Sequence, residues 1–554
     1  MNTSPSAFDL PVIRFPAQKL PALEARYKYI DDVLIAHKLF FRCQIRILVV
    51  TDASGSFGRT ADFGLGTFLD VFNRDPANIA TDNPATYVNF TVKTAHRGGG
   101  AADFTNFKFD THNLAQYDQI WLFGVARLST PLSQKELKAL SKFMNEGGGV
   151  FATGDHEDLG VDLCGSVPRV RCMRRWYFNT VDPLGSPPAP PQTGAGITLN
   201  HNTITDNPTT GTNEKLIFGF QSDNYPQNIH PRYRRIFTGS IFQRRVLPHP
   251  VLCGPNGVIK VLPDHMHEGK CDIYHDFGRT LTFDSESFVE FPNRTSSSVQ
   301  EKPKVIADNI NQIDNATFES ISVYDGHATD KAGRILCDAT WHHFFNINLI
   351  GFEASRARVR AGTATTEDLR SDSDYVNIRA YFRNIAYWLS RRNDQTCMRN
   401  KGYHLFIHDF DFKMTYKPLK FVKDRLAYYH FIGELAKDSL NQYAPQCQWY
   451  EWVDWVIRDL PLYRKFVELD FDPTQVREKF PDLFKWVDVE RIQTIVLGKA
   501  MVNLYEFVEG QKEFSERTYE EFDKVVLENR DEIVKEIFTE LSADLDDLQK
   551  ALKI

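Results

Sequence analysis

The run Ile45-Arg-Ile-Leu-Val-Val50 leads directly into Thr51-Asp-Ala-Ser-Gly-Ser-Phe-Gly58, and these residues decide the fold of the chain. An apolar, β-branched run that ends in a turn rich in glycine and serine is typical of a buried strand in a parallel sheet. Comparable runs predict further strands, at residues 87–92, 119–125, 150–153, 258–262 and 334–338. The sequence thus predicts a sheet built mainly from buried strands.

Helices are predicted between these strands. Ser133 and Glu136 have the spacing of a capping box, an apolar stripe follows, and Gly147 ends the predicted helix. A second amphipathic pattern carries Ile378, Phe382, Ile385 and Leu389 on one face. Because alternating strands and helices require crossover connections, the predicted fold is α/β: a doubly wound parallel sheet covered on both faces.

The chain has 554 residues, a length that suggests two to four domains. We predict an N-terminal extension at residues 1–39, an α/β domain at 40–395 with an insertion around 181–250, a linker at 396–418 and a helical accessory domain at 419–554. Residues 421–554 carry 28 acidic and 18 basic side chains, so the accessory domain is acidic. We expect it to serve a homo-oligomer or a protein partner; the alternative of equal weight is that it simply packs against the α/β domain.

Composition excludes several classes of protein. The 42% hydrophobic and 25% charged residues are ordinary for a globular chain, which excludes disorder and collagen-like structure. The sequence contains neither a signal-peptide pattern nor an apolar stretch of about 18 residues, so we expect a cytoplasmic protein without a membrane partner. Its eight cysteines form no CxxC pair, and we expect them to be reduced. Residues 1–420 are nearly neutral, which disfavours nucleic acid as a partner.

Ten of the 16 histidines lie between residues 156 and 343, most of them beside carboxylates near the ends of predicted strands. Ligands bind at the carboxyl ends of strands in open α/β sheets, so we expect a site there. Imidazole and carboxylate ligands suit Zn or Mn, and a hydrolytic ion needs about three of them. The predicted metal ligands are His156, His265, His267 and Asp158. The predicted catalytic residues are Glu268, Asp155 and His343.

The alternative for each histidine is a helix cap or a loop position, since no spacing matches HExxH. Asp155 and His156 follow the strand at 150–153 through a single glycine, which predicts a sharp elbow that exposes a side chain above the sheet. His342 and His343 are adjacent and cannot easily face one site, so one of them is expected to be structural.

Arginines form a second group. Arg169, Arg171, Arg174 and Arg175 follow the elbow closely, and guanidinium groups bind carboxylates and phosphates bidentately. With His327 they are predicted to bind an anionic substrate. The equally weighted alternative is a surface where arginines pair with local acids. Further arginines that fit either interpretation are Arg232, Arg234, Arg235, Arg244 and Arg245.

Three segments carry a resemblance to a known family: residues 147–154 before the elbow, 341–348 and 381–388. Over residues 40–395 the chain resembles the class I glutamine amidotransferase-like superfamily, in particular its trehalose-utilisation (ThuA-like) branch. The resemblance implies a flavodoxin-like sheet, a polar pocket at the elbow and a link to carbohydrate. Amidotransferases place a nucleophilic cysteine at the elbow, where this chain has Asp155-His156. Glutaminase activity is therefore not expected.

Together these patterns predict a metal-assisted hydrolase, with Zn or Mn as the cofactor, acting on a polar or anionic small molecule such as a sugar derivative. The alternative is a ligand-binding sensor or scaffold without catalysis, built on an inactivated amidotransferase-like domain. The absent cysteine, the arginine group and the large acidic appendage favour that alternative.

Overall fold

The protein is described here from a computed structural model. The described residues are 43–52, 55–72, 88–126, 130–155, 158–177, 227–240, 243–263, 269–273, 277–295, 298–310, 317–350, 373–407, 410–443, 489–510, 521–527, 535–537, 539 and 543. The predicted N-terminal extension at 1–39 lies outside them, as does much of the predicted insertion at 181–250.

A nine-stranded sheet organises the described residues. In chain order its strands are β1 (Cys43–Thr51), β2 (Val88–His96), β3 (Phe104–Thr105), β4 (Gln119–Phe123), β5 (Gly149–Thr153), β6 (His230–Pro231), β7 (Lys304–Ile310), β8 (Thr317–Tyr324) and β9 (Ile335–Asp338). Their order across the sheet is β3-β2-β1-β4-β5-β9-β8-β7-β6. The first six of these are parallel, and β8, β7 and β6 continue the sheet in antiparallel pairing. The fold is therefore α/β with a mixed sheet, which corrects the prediction of an all-parallel one.

Side chains of the central strands alternate between two buried cores, one on each face of the sheet. Val49, Trp121 and Phe151 belong to one core, and their neighbours Leu48 and Ile120 belong to the other. Helix α5 (Ser373–Leu389) covers the first core with its apolar stripe, and helix α2 (Gln134–Asn145) covers the second. The sheet is thus covered on both faces, as buried strands of this composition require.

Helix α2 begins as the sequence predicts. The hydroxyl oxygen of Ser133 accepts a hydrogen bond from the Glu136 amide at 3.3 Å, and the Glu136 carboxylate accepts one from the Ser133 amide at 3.0 Å. This reciprocal capping box is confirmed. Other helices among the described residues are α1 (Gly66–Leu69), α3 (Val161–Cys164), α4 (Asn346–Ile350), α6 (Arg392–Ile407), α7 (Phe410–Thr415), α8 (Arg425–Tyr443), α9 (Val489–Glu509) and α10 (Phe522–Leu527).

Within the described ranges, the strands outside the large sheet form short antiparallel pairs. They are Tyr233–Ser240 with Gln243–Pro248, Cys253–Gly254 with Gly257–Val258, Gln227–Asn228 with Val261–Leu262, and Thr280–Phe283 with Glu286–Val289. The apolar run at 258–262 is therefore divided between two of these small sheets, which corrects its prediction as a strand of the main sheet. Burial of Ile259 and Leu262 explains why the run is apolar without entering that sheet.

The C-terminal described residues are helical, as predicted. Helices α8 and α9 pack together, and they approach most closely at Gly433 and Gly498, where an added Cβ would collide with backbone of the opposite helix. Ile492, Ile495 and Val496 are buried there. The region predicted as a linker at 396–418 is largely helical, since it contains most of α6 and all of α7.

Cysteines take two forms in the described residues. Cys43 in β1 and Cys397 in α6 form a disulfide, with 5.9 Å between their Cα atoms, and Cys253 is disulfide-bonded as well. Cys164, Cys172, Cys271 and Cys337 are buried thiols. The expectation that the cysteines are reduced is thus wrong for Cys43, Cys397 and Cys253. A separation of 354 residues leaves no spacing motif from which this bridge could be predicted.

None of the helices within the described ranges combines the length and the hydropathy that crossing a bilayer requires.

Candidate functional site

Three carboxylates lie at the carboxyl edge of the parallel strands. Thr51, Phe123, Thr153 and Asp338 are paired in register across β1, β4, β5 and β9, so these strands end at one level. Asp52 follows β1, Asp155 follows β5 through Gly154, and Asp338 is the last residue of β9; all three are fully buried. Each carboxylate therefore depends on partners within the protein, because a buried charge needs hydrogen bonds or an opposite charge.

Asp338 holds the imidazole of His343. The His343 Nδ1 atom lies 3.0 Å from Asp338 Oδ2 and 2.9 Å from Oδ1, and Tyr381 donates its phenolic hydrogen to Oδ2 at 2.7 Å. Burial and the charge of Asp338 raise the pKa of Tyr381 well above its ordinary value, so the phenol stays protonated and donates. Since the carboxylate is the acceptor, Nδ1 carries the hydrogen, and in the neutral ring the lone pair lies on Nε2.

Asp155 and His342 form a second pair beside the first. His342 Nε2 lies 3.3 Å from Asp155 Oδ2, while His342 Nδ1 lies 3.1 Å from the side-chain oxygen of Asn348. The indole ring of Trp341 stacks on the imidazole with 3.9 Å between ring centroids. With an oxygen at each nitrogen and a ring against its face, His342 is held in one orientation, which suits a positioning role.

Thr340 joins the two pairs. Its backbone amide donates to Asp338 Oδ1 at 3.2 Å, and its hydroxyl donates to Asp155 Oδ1 at 2.8 Å. The same hydroxyl oxygen accepts a hydrogen bond from the His342 amide at 3.1 Å, so Thr340 also caps the turn that carries both histidines. The adjacent imidazoles consequently bind different carboxylates, as their spacing predicts.

Asp52 connects the ends of β1 and β4. Its Oδ2 atom accepts hydrogen bonds from the amides of Val125 and Ala126, each at 2.7 Å. Strand order reverses here, because β2 lies on one side of β1 and β4 on the other. Ligands of open α/β sheets bind at such a reversal.

The loop after β1 is fastened to the same edge through Asn346. Its side-chain nitrogen donates to the carbonyls of Gly58 at 2.9 Å and Ala61 at 2.7 Å, and its oxygen accepts from the Thr67 amide at 2.9 Å. The half-exposed ring of Phe63 contacts Trp341 edge to face. The loop therefore forms a rim beside the buried histidines.

The elbow prediction places Asp155 at this edge, and the structure has it there. Helix α3 starts only at Val161, after a turn in which Gly160 has a φ of 87° and packs against Gly124.

Of the predicted metal ligands, His156 lies outside the described residues, as do His265 and His267 and the predicted catalytic residue Glu268. Asp158 is buried in that turn, where its carbonyl accepts a hydrogen bond from the Val161 amide. No cluster of three or more potential metal ligands occurs among the residues that the structure describes.

The predicted anion-binding arginines have partners inside the protein. Arg171 forms a bidentate ion pair with Glu290, with Nε at 2.9 Å and Nη2 at 2.7 Å from the carboxylate oxygens, and both side chains are buried. The Arg169 amide donates to the same carboxylate at 2.7 Å. Arg175 pairs with Asp272. Arg171 and Arg175 thus pair with acids, as the alternative has it, but they are buried, so the solvated surface of that alternative is wrong.

Arg174 differs from its neighbours because it faces the candidate site. Its Nη2 atom donates to the carbonyls of Asp155 and Ala339, both at 2.7 Å, and its guanidinium group lies over the ring of Trp176. Burial lowers its pKa from the ordinary value. Arg174 thus ties the backbone after β5 to the backbone after β9.

The other predicted residues lie apart from this edge. His327 is in a short helical turn after β8, and its carbonyl accepts a hydrogen bond from Arg392 at 3.0 Å. Arg232 pairs with Asp308 at 2.6 Å, on the antiparallel side of the sheet. Arg234, Arg235, Arg244 and Arg245 belong to the pair of strands Tyr233–Ser240 and Gln243–Pro248.

Several contributors to the edge were not predicted as site residues, among them Asp338, Asp52, Asn348 and Tyr381. Asp52 carries the signal already used for Asp155, namely a carboxylate directly after an apolar strand. Tyr381 is 43 residues from its partner Asp338 and lies in an apolar helical stripe. No pattern in the neighbouring sequence therefore indicates that its hydroxyl binds a carboxylate.

Neither a protein-family model nor a curated protein matches this sequence. The class defined here by fold and site is an α/β protein with a buried histidine and aspartate network at the carboxyl edge of its sheet.

Proposed function

We propose that the protein is a hydrolase acting on a polar small molecule, with His343 as its acid–base residue and Asp338 as the group that orients it. The observation that carries the proposal is the contact of His343 Nδ1 with the Asp338 carboxylate at the carboxyl edge, 3.0 Å long and supported by Tyr381. A carboxylate on one ring nitrogen fixes the tautomer and favours proton uptake at the other.

In the proposed reaction, His343 Nε2 takes a proton from water as the oxygen attacks the substrate. Asp338 stabilises the imidazolium that forms. Nε2 then returns the proton to the leaving group, so the residue ends in its initial state. General acid–base catalysis of this kind contributes about 10²–10⁴ in rate. Asp155, through Thr340 and His342, keeps the turn that carries His343 in position.

A divalent ion remains a separate part of the proposal. The ligands would be His156, His265, His267 and Asp158, with Glu268 as general base; of these residues the structure describes Asp158 alone. When bound, such an ion would bring the pKa of a coordinated water to about 7. The proton transfers assigned to His343 do not depend on it.

The order β2-β1-β4-β5-β9 supports the flavodoxin-like arrangement that the amidotransferase-like resemblance implies. Glutaminase activity is not proposed. Burial raises the pKa of the Cys164 thiol well above its ordinary value, which keeps it in the unreactive protonated form. A sugar derivative as the substrate rests on the resemblance alone.

The cytoplasmic location and a protein partner for residues 419–554 also stay predictions. The disulfide between Cys43 and Cys397 counts against the cytoplasm, since such bonds persist mainly in oxidising compartments.

A second candidate is a ligand-binding sensor without catalysis. The complete burial of Asp155, Asp338 and His343 favours it, because a network closed to solvent also serves to fix a binding loop.

One experiment separates the two. The wild type is assayed against chromogenic esters, phosphate esters and glycosides, and screened by thermal shift with the corresponding sugars and sugar phosphates. A hydrolase turns over at least one class, and His343→Ala lowers that rate about 10²–10⁴-fold. The control is His230→Ala, an exposed histidine on β6. Stabilisation by a ligand without turnover would replace the hydrolase with the sensor; elemental analysis of the same sample tests the metal.

A further inference from the structure

The segment between helices α7 and α8 differs in charge from the rest of the C-terminal region. Residues 413–425 read Lys-Met-Thr-Tyr-Lys-Pro-Leu-Lys-Phe-Val-Lys-Asp-Arg, with five cations and one acid. The whole chain carries a net charge of -7. The excess of positive charge is therefore a local feature of residues 413–425, which we call the basic segment.

Large apolar side chains stand exposed within the same segment. Met414 is 71% exposed and Phe421 is 68% exposed, and these are the highest values among the exposed large hydrophobic residues in the described ranges. The ammonium group of Lys420 lies 4.9 Å from the centre of the Phe421 ring, so a cation and an aromatic ring sit side by side on the surface. A single exposed apolar side chain is ordinary on a protein surface, but here two of them share a short segment with five cations.

The basic segment is anchored from beneath, so its exposure is a property of the fold. Phe412 is buried against Phe406 and Tyr505 at one end. At the other end the Lys417 amide donates to the Tyr428 hydroxyl at 2.8 Å, and Leu426 is buried. Between the anchors Tyr416 and Leu419 also pack against the core, while Met414 and Phe421 are exposed.

Four of its five cations are available to a partner. Lys417, Lys420, Lys423 and Arg425 are exposed and form no ion pair within the described part of the chain. The single acid of the segment, Asp424, is already engaged, because its Oδ1 atom caps helix α8 by accepting from the Ala427 amide at 2.9 Å. Further along the exposed side of α8 follow Phe431, Glu434 and Asp438, so the positive charge is confined to the start of the helix.

We propose that the basic segment adsorbs to a membrane surface containing anionic lipids, with Phe421 and Met414 inserted among the headgroups. Lysines beside isolated protruding apolar side chains are the pattern that binds anionic bilayers, and adsorption needs no spanning helix. An acidic protein is the less favoured partner. Four of the five cations are lysines, which are hydrated point charges, whereas bidentate recognition of carboxylates uses arginine.

The test is sedimentation of the full chain with vesicles of phosphatidylcholine alone and with 30% phosphatidylserine. Binding is expected only with the anionic lipid, and it should fall steeply between 0.1 and 0.5 M salt. Each lysine near the surface contributes about fivefold to the affinity. The variant K417E/K420E/K423E should therefore bind at least about 100-fold more weakly. The variant F421S should lose about tenfold through the apolar contribution.

The matched control is K108E/K135E/K331E, which makes the same change in net charge at three exposed lysines of the α/β part. It should bind as the wild type does, and urea midpoints should show that all variants are folded. Equal loss in the control would show that net charge alone drives binding, and would overturn the proposal. So would equal binding to neutral vesicles, an unaffected F421S, or a segment-dependent binding to soluble polyglutamate in place of vesicles.

Discussion

Replacing Glu290 by glutamine should destabilise the protein by about 3–5 kcal/mol, the usual cost of removing one partner from a buried ion pair. Glu290 neutralises Arg171 through two hydrogen bonds, at 2.9 and 2.7 Å, and also accepts from the Arg169 amide at 2.7 Å. Glutamine keeps the shape but removes the charge, and its amide nitrogen would face one of these donors. Because both side chains are buried, water cannot substitute for the lost carboxylate.

Urea unfolding followed by tryptophan fluorescence measures the effect. The control is Glu286→Gln, which removes the exposed partner of Lys138, a surface ion pair 2.7 Å long and expected to contribute less than about 1 kcal/mol. If Glu290→Gln is no more destabilised than this control, the arginines are not structural. An anion-binding role for Arg169 and Arg171 would then return, and the variant should bind phosphate more tightly than the wild type.

Two further predictions concern the contact between the sheet and α6. Burial and the nearby charge of Asp118 raise the pKa of Asp394 to about 7, so the folded state holds a proton that the unfolded chain releases near pH 4. The free energy of unfolding should therefore fall between about pH 4 and 7, and Asp394→Asn should remove up to about 4 kcal/mol of that fall; identical pH profiles for the two proteins would contradict this. Replacing both Cys43 and Cys397 by serine should cost about 2–5 kcal/mol under non-reducing conditions. Dithiothreitol, which also reduces the bond at Cys253, should lower the urea midpoint of the wild type at least to that of the variant; a wild type indifferent to reductant would refute it.

The elements that local sequence determines were predictable. The strands β1, β4, β5 and β9 are apolar runs that end at turn residues, and α2 carries its capping box in the sequence. Each is specified by residues close together in the chain. For the same reason, Asp155 could be placed at the carboxyl edge before its partners were known.

What sequence patterns did not provide are contacts between distant residues. The antiparallel strands β7 and β8 carry charged and polar residues among apolar ones, and only their pairing with β9 and with each other reveals them as part of the main sheet. Glu290 is 119 residues from Arg171. A pattern can show that an arginine is present, but the acid that neutralises it depends on the packed fold.

The rate of Asp338→Asn beside that of the wild type, on the chromogenic substrate that the wild type hydrolyses best, shows whether His343 and Asp338 form the acid–base pair. Asparagine still accepts from Tyr381 but cannot hold the Nδ1–H tautomer of His343 as a carboxylate does. We predict that kcat falls about 10²–10⁴-fold while KM changes little and circular dichroism shows an intact fold. A folded Asp338→Asn variant that retains the wild-type kcat would contradict the assignment of His343 and Asp338 as the acid–base pair.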